Sequence, residues 1–446
     1  MLSFRLWLAA TLLAGTLQCW AITVNLTEVN IRAVLNASLP SPADPVLIGY
    51  ATNITVNGHD FSVLLDTGSA DLWILTPSGF AFNDTNIPVR NQFSSGDVVG
   101  TVGFASVQLG GYTVDQQAFN AAKTVQAENL LALGFDGVLG LSYEFTGPPS
   151  AIVDAVVNTL KNSTIAAPFI VNVAREDAFT GSPTVTLSLP RVGNCIGCGG
   201  TGTLELPGLN GVVSNQTALP APLFPQSNVG VWSVLVDSFS LNNESIGAVP
   251  NSIVPGVPTG SLVMRLDSGV PTGVLPQALL DTIYSGIPGS QLKTVSGVLT
   301  SSGQVWTVPC NTTTVLSLKV GPNVLPIHPL DLSTVVIDRS THQPVCVTPF
   351  RAAQGSDGDT QDIIAGGSFM QNFEAIFNLG SLASPAHNDT PSIQFISRVD
   401  LKLVDGDVGF QRGQLVKVHS NRSAPAAVTS FCGVYGALLL GLVFVL

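Results

Sequence analysis

Two short phrases carry the residues best suited to chemistry: Leu64-Leu65-Asp66-Thr67-Gly68-Ser69 and Arg265-Leu266-Asp267-Ser268-Gly269. Each ends an apolar, strand-like run with an aspartate, followed by a small hydroxyl residue and a glycine. One such phrase marks only a strand-to-turn transition. Two, about 200 residues apart in one chain, supply a pair of equivalent carboxyl groups. Carboxyls held a hydrogen-bond length apart cannot both ionise, so one stays protonated while the other acts as a base. Such a pair titrates as a unit and provides the elements of hydrolysis: a base for water, a proton for a carbonyl oxygen and a proton for the leaving amine.

The elements that must position these aspartates also recur. Tyr50 to Leu65 reads as two strands joined at Asn57-Gly58, a hairpin turn signal, with Asp66 at the end of the second strand. Further on, Phe135-Asp136-Gly137-Val138-Leu139-Gly140 places two apolar residues before a glycine. Ile363-Ile364-Ala365-Gly366 repeats that signal after Asp267. Trp232-Ser233-Val234-Leu235-Val236 reads as another strand. Helical periodicity is confined to short stretches, the best being Ser150 to Leu160 and Pro276 to Ser285.

Composition agrees with this. The 446 residues suffice for two lobes with separate cores. Charged residues are only 10%, while 44 glycines and 29 prolines punctuate short Val/Ile/Leu/Thr-rich runs, so the fold class is mainly β. A net charge of −12 excludes nucleic acid as a partner. The five histidines show no metal-ligand spacing, and neither HExxH, Gly-x-Ser-x-Gly nor a Walker A string occurs, so no metal or other cofactor is expected. The string Gly197-Cys198-Gly199-Gly200-Thr201-Gly202 matches GxGxxG but follows no strand and opens no helix.

The ends point to the secretory route. Residues 1–21 read as a signal peptide, with Arg5 in the n-region, Leu6 to Leu13 as the apolar stretch and Ala21 at the cleavage site. Ten Asn-x-Ser/Thr sequons are candidate glycosylation sites: Asn25, Asn36, Asn53, Asn83, Asn162, Asn215, Asn243, Asn311, Asn388 and Asn421. Residues 426–446 are almost wholly apolar and lack a basic flank. The small polar residues of 406–425 before them are the expected GPI-attachment region, with an uncleaved membrane tail as the alternative.

The order and recurrence of these motifs resemble the pepsin-like aspartic endopeptidases over roughly residues 46 to 405. The resemblance implies two pseudo-symmetric β lobes with a cleft between them, an N-terminal lobe over 46–190 and a C-terminal lobe over 191–405, preceded by a short segment, 22–45. It implies a monomer cleaving protein or peptide substrates with Asp66 and Asp267 as the catalytic pair. Thr67 and Ser268, with Gly68 and Gly269, would brace the two loops reciprocally, and Ser69 would contact Asp66. A disulfide between Cys310 and Cys346 is implied in the same way. A local bridge is the expectation for Cys195 and Cys198, since a lone CxxC has no second pair to build a zinc site.

Three departures from the family pattern stand out. The flap that would cover the cleft, Phe93-Ser94-Ser95-Gly96-Asp97, has phenylalanine where the family carries a tyrosine whose hydroxyl would reach Trp73. Val270 stands where the family has another hydroxyl residue, which removes a donor to Asp267. Arg265 should oppose the resulting rise in pKa if it shares that strand face, and its place on the primed side implies a preference for acidic side chains after the scissile bond, unless it extends to solvent. The segment before the first lobe is too short for the basic prosegment usual in such zymogens. These departures keep open an inactive binding protein on the same scaffold.

Overall fold

A computed structural model describes residues 28–36 and 47–420 except for short intervening segments, the longest being 192–201 and 207–218. The fold is mainly β, as the composition implies. The hairpin at Asn57-Gly58 forms as expected: strands Leu47–Val56 and His59–Asp66 pair antiparallel. Both turn residues have positive φ, 46° and 82°, the conformation a two-residue hairpin turn demands.

The two aspartate strands are then threaded in the same way. His59–Asp66 pairs in parallel with Gly137–Gly140, placing Asp66 beside Gly140. Leu72–Leu75 returns antiparallel on the other side of that short strand. In the second half, Leu262–Leu266 pairs in parallel with Ile363–Ala365, and Gly273–Leu275 returns antiparallel to it. The glycine closing each apolar pair has a steric purpose. A Cβ on Gly140 would lie 2.4 Å from the backbone carbon of Ala70, and one on Gly366 1.6 Å from the carbonyl oxygen of Thr272. Only a residue without a side chain lets the loop after the aspartate cross this close.

A sheet of thirteen strands joins the halves. Thr184–Ser188 pairs with Phe373–Asn378 on one side and with Gly202–Glu205 on the other. Strand Glu28–Asn36, within the segment ahead of residue 46, continues the sheet by pairing with both Gly202–Glu205 and Leu47–Val56. Trp232, fully buried, locks the lobes further, its indole N–H donating to the Leu141 carbonyl at 2.8 Å while its ring packs on Tyr143 and Phe377. The Cys310–Cys346 disulfide is present, with Cα atoms 5.2 Å apart. The sequence-predicted helices occur at Ala151–Leu160 and Gln277–Ser285. Residues Val404–Ser420, part of which lies in the 406–425 segment, form a helix that buries Val404 and Val408. No helix among the described residues is long and apolar enough to cross a membrane; residues 1–27 and 421–446 lie outside them.

Asp71 organises the first lobe around the site. The carboxylate is 5% exposed and sits at the start of the helix Ala151–Leu160. It accepts from Ser150 Oγ at 2.5 Å, from the Ile152 amide at 3.1 Å and from Asn91 Nδ2 at 2.6 Å. Ser150 also caps the helix by accepting from the Val153 amide. Asn91 belongs to the strand Asn83–Phe93 that leads into the expected flap, and Asn120 Nδ2 donates to its Oδ1 at 2.8 Å. One carboxyl therefore ties the segment leaving Asp66 to a helix terminus and to the flap strand.

Burial raises the Asp71 pKa from its ordinary value of 3.8 to about 6, against the hydrogen bonds from Ser150, Ile152 and Asn91 that favour the anion. A carboxyl whose folded pKa exceeds its unfolded one contributes stability that is fully present below the unfolded pKa and is lost as pH rises through the folded one. The stability of the protein should therefore decline from about pH 4 to about pH 6 by up to ~3 kcal/mol on account of this group. Asp71→Asn should flatten that slope in denaturant titrations run at successive pH values; an unchanged slope would rule Asp71 out as its source.

Candidate active site

The parallel strand pairs deliver Asp66 and Asp267 to the same point between the lobes. Both are buried, at 6% and 8% exposure. The loops that carry them are linked by a reciprocal pair of hydrogen bonds: Thr67 N donates to Ser268 Oγ and Ser268 N to Thr67 Oγ1, each at 3.0 Å. Each hydroxyl then donates to a backbone carbonyl across the junction, Thr67 Oγ1 to Leu266 at 3.0 Å and Ser268 Oγ to Leu65 at 2.7 Å. The arrangement satisfies every polar atom it uses in a place closed to water, which is the condition for a buried polar network to be stabilising.

Glycine lets the carboxyls meet. A Cβ on Gly68 would lie 2.2 Å from Asp267 Oδ2, and one on Gly269 2.7 Å from Asp66 Oδ1. The amides of these glycines donate to the aspartate two residues before, Gly68 N to Asp66 Oδ1 at 2.8 Å and Gly269 N to Asp267 Oδ1 at 3.1 Å.

Beyond this shared frame the environments differ. Ser69 Oγ donates to Asp66 Oδ2 at 2.5 Å. At the equivalent place after Asp267 stands Val270, which has no hydroxyl to offer. Asp267 instead has Arg265, whose Nη2 is 3.7 Å from its Oδ2. The same Nη2 donates to the Gly68 carbonyl, so the guanidinium turns inward to the two loops, with only 20% of the side chain exposed. Burial, then the charge of Asp66, push the Asp267 pKa well above the ordinary carboxylate range; Arg265 opposes the shift, and a hydrogen bond with Asp66 adds to it. One proton on this pair is the state such a geometry favours.

The flap expectation can be placed in part. Strands Asn83–Phe93 and Gly96–Leu109 form a hairpin with Phe93 opposite Gly96, and Gly96 has φ 136°; Ser94 and Ser95 lie outside the described residues. Phe93 packs against the apolar cluster that contains Trp73, Leu64, Val98 and Phe135. Trp73 is fully buried, and its Nε1–H has no hydrogen-bond partner. The family tyrosine would supply that partner; Phe93 does not.

Among the described residues no group of three or more His, Cys, Asp or Glu side chains is placed to hold a metal ion. The described sequons Asn53, Asn83, Asn243 and Asn311 are all exposed, whereas Asn25, Asn162, Asn215, Asn388 and Asn421, with Cys195 and Cys198, lie outside the described residues. Asn36 lies in the strand Glu28–Asn36. Sequence reasoning did not find the Asp71–Asn91–Ser150 network. It also missed a second one, in which Arg191 bridges Asp331 and Asn372 while Gln371 donates to Asp331. The nearest local signal was the helical stretch beginning at Ser150; the other partners meet only in three dimensions.

Two β lobes threaded alike, meeting at paired aspartate loops, define an aspartic-protease scaffold. Comparison with known proteins agrees. Residues 76–182 match the family model for eukaryotic aspartyl protease. The chain is 24% identical over 382 residues to major aspartyl peptidase 1 of Cryptococcus neoformans var. grubii, covering 81% of this chain and 70% of that protein. It is 26% identical over 303 residues to penicillopepsin-1 of Penicillium roqueforti, covering 64% and 67%. To pepsin A of Suncus murinus it is 22% identical over 365 residues, covering 76% and 82%. The chain is similar to the pepsin-like aspartic endopeptidases, and the family-model match and these relatives support that family.

Phe93→Tyr should give the Trp73 indole a hydroxyl to bond and stabilise the protein by about 1 kcal/mol. Thermal unfolding, with the indole N–H resonance followed by NMR, checks this. A Tyr variant with unchanged stability and an unmoved indole signal would show that the ring does not reach Trp73.

Proposed function

We propose that the protein is an aspartic endopeptidase that hydrolyses peptide bonds through a water activated by Asp66 and Asp267. The observation that carries the proposal is the reciprocal Thr67–Ser268 bonding, which holds two buried carboxyls together where only one can ionise readily. In this reading the ionised carboxyl takes a proton from the attacking water while its protonated partner donates to the scissile carbonyl oxygen. Gly68 N and Ser69 Oγ both donate to Asp66 and fix its orientation. The raised pKa at Asp267 belongs to the coupled pair and keeps one proton on it. Because catalysis requires one shared proton, activity belongs in the acid range. The expected signal peptide, sequons and apolar tail support work outside the cell or at its surface, held by a GPI anchor.

A second reading, a cleft that binds peptides without cutting them, has its support in the unpartnered Trp73 indole and in Val270. The loss of one hydrogen bond in each place weighs about 1 kcal/mol, enough to slow an enzyme by several fold and too little to abolish it.

Cleavage of an unfolded protein by the purified protein, followed from about pH 2.5 to 7, separates the readings. The expected result is acid-range cleavage, blocked by a pepstatin-class inhibitor and reduced by at least ~10³-fold in Asp66→Asn and in Asp267→Asn. A folded protein that cuts nothing across that range would refute the proteolytic reading and favour the binding one.

A further inference from the structure

The internal repeat gives each half of the molecule the means to test the other. Leu64 stands two residues before Asp66, between Ala51 and Val138 on the neighbouring strands; Arg265 stands two residues before Asp267, between Ser233 and Ile364. Ser69 stands three residues after Asp66, and Val270 three after Asp267. Of these positions, the first half has an apolar residue before its aspartate and a hydroxyl donor after it. The second half has the reverse. Both exchanges fall on the same carboxyl.

We propose that Arg265 is a positioning residue for the aspartate pair, holding Asp267 and the Asp66 loop in one frame through an ion pair to Asp267, where Asp66 has the hydroxyl of Ser69. This rests on the proteolytic reading above. One nitrogen, Nη2, donates to the Gly68 carbonyl and lies 3.7 Å from Asp267 Oδ2, so the side chain spans from its own strand to the opposite loop. Gly68 is itself the residue whose amide orients Asp66. The guanidinium thus adds a charged link between the loops, beside the four neutral hydrogen bonds made by Thr67 and Ser268.

Its geometry is built rather than incidental. The guanidinium is planar and delocalised, so one edge can serve two acceptors in fixed directions. The Nε atom is buried without a hydrogen-bond partner. That desolvation is unfavourable and is offset by the contacts Nη2 makes, which an arginine extended into solvent would not need. The charged groups that act on Asp267 are Asp66 and Arg265. The flanking segments Trp232–Val236 and Ile363–Ala365 contribute no charge. A cation here favours the anion of Asp267, and so sets the pH range over which the pair retains one proton.

The test uses the purified protein as wild type, Arg265→Met, Arg265→Lys and the double variant Arg265→Met/Val270→Ser. For each, kcat and KM on one peptide are measured from about pH 3 to 7. The carboxyl ¹³C resonances are titrated in parallel, with Asp267→Asn used for assignment. Arg265→Met should move both limbs of the kcat/KM profile upward by ~1 pH unit or more, the direction expected when an opposite charge is removed. It should lower kcat by about tenfold with KM nearly unchanged. Arg265→Lys should restore the pH profile more fully than kcat, because an ammonium lacks the planar fork. The serine of the double variant should regain part of kcat.

Superposed pH profiles and titrations for wild type and Arg265→Met, or an effect confined to KM or to melting temperature, would overturn the proposal. Should Arg265→Met fail to fold, Arg265→Lys against Arg265→Gln carries the same comparison. A wild type that cuts nothing, with a carboxyl titration that still shifts on loss of Arg265, would refute the proteolytic reading and leave the positioning role standing.

Discussion

Two hydrogen bonds of 3.0 Å, from Thr67 N to Ser268 Oγ and from Ser268 N to Thr67 Oγ1, set the terms for everything else. They join residues 201 positions apart and can form only if each half of the chain delivers the end of a strand to the same point, in matching orientation. The parallel pairing of each aspartate strand with a short apolar strand supplies that delivery. The absence of a Cβ at Gly68 and Gly269 allows the loops to close. The long sheet, with Trp232 wedged against Leu141, Tyr143 and Phe377, holds the lobes at the distance the bonds require. Hydrogen bonds of this kind contribute little net stability each, and their value here is in specifying one geometry.

A symmetric frame then carries an asymmetric site. Asp66 is supported by neutral donors, a hydroxyl and an amide, and its loop continues into Asp71, which anchors both a helix terminus and the strand Asn83–Phe93. Asp267 is supported by one amide and an arginine. Two carboxyls in identical settings would compete equally for the shared proton; different neighbours distinguish them. Phe93 and the unpartnered Trp73 indole show the same divergence at the Phe93 hairpin, where an apolar ring fills the space but satisfies no donor.

Much of this was legible along the chain. The hairpin at Asn57-Gly58, the helices at Ala151–Leu160 and Gln277–Ser285 and the mainly β class followed from turn chemistry and periodicity, which are local properties. The pairing of Asp66 with Asp267 was visible because the motif and its apolar-apolar-glycine companion occur twice in the same order. Phe93 and Val270 were identifiable as departures because each removes a hydroxyl from a position that the resemblance defines.

What the sequence determined by itself, then, were residue types and their recurrence: two aspartates at strand ends, glycines where backbones must cross, and the donors present or missing nearby. Tertiary structure alone decided which groups face each other. Nothing near Asp71 announces that Asn91, Ser150 and Ile152 would converge on its carboxylate, because these contacts span up to 81 positions. Nor does the chain around Arg265 show whether the guanidinium reaches solvent or the Gly68 carbonyl, 197 residues away. Strand registers and turns are governed by neighbouring residues, whereas a buried charge takes its partners from whatever the packing of distant segments leaves within hydrogen-bonding reach.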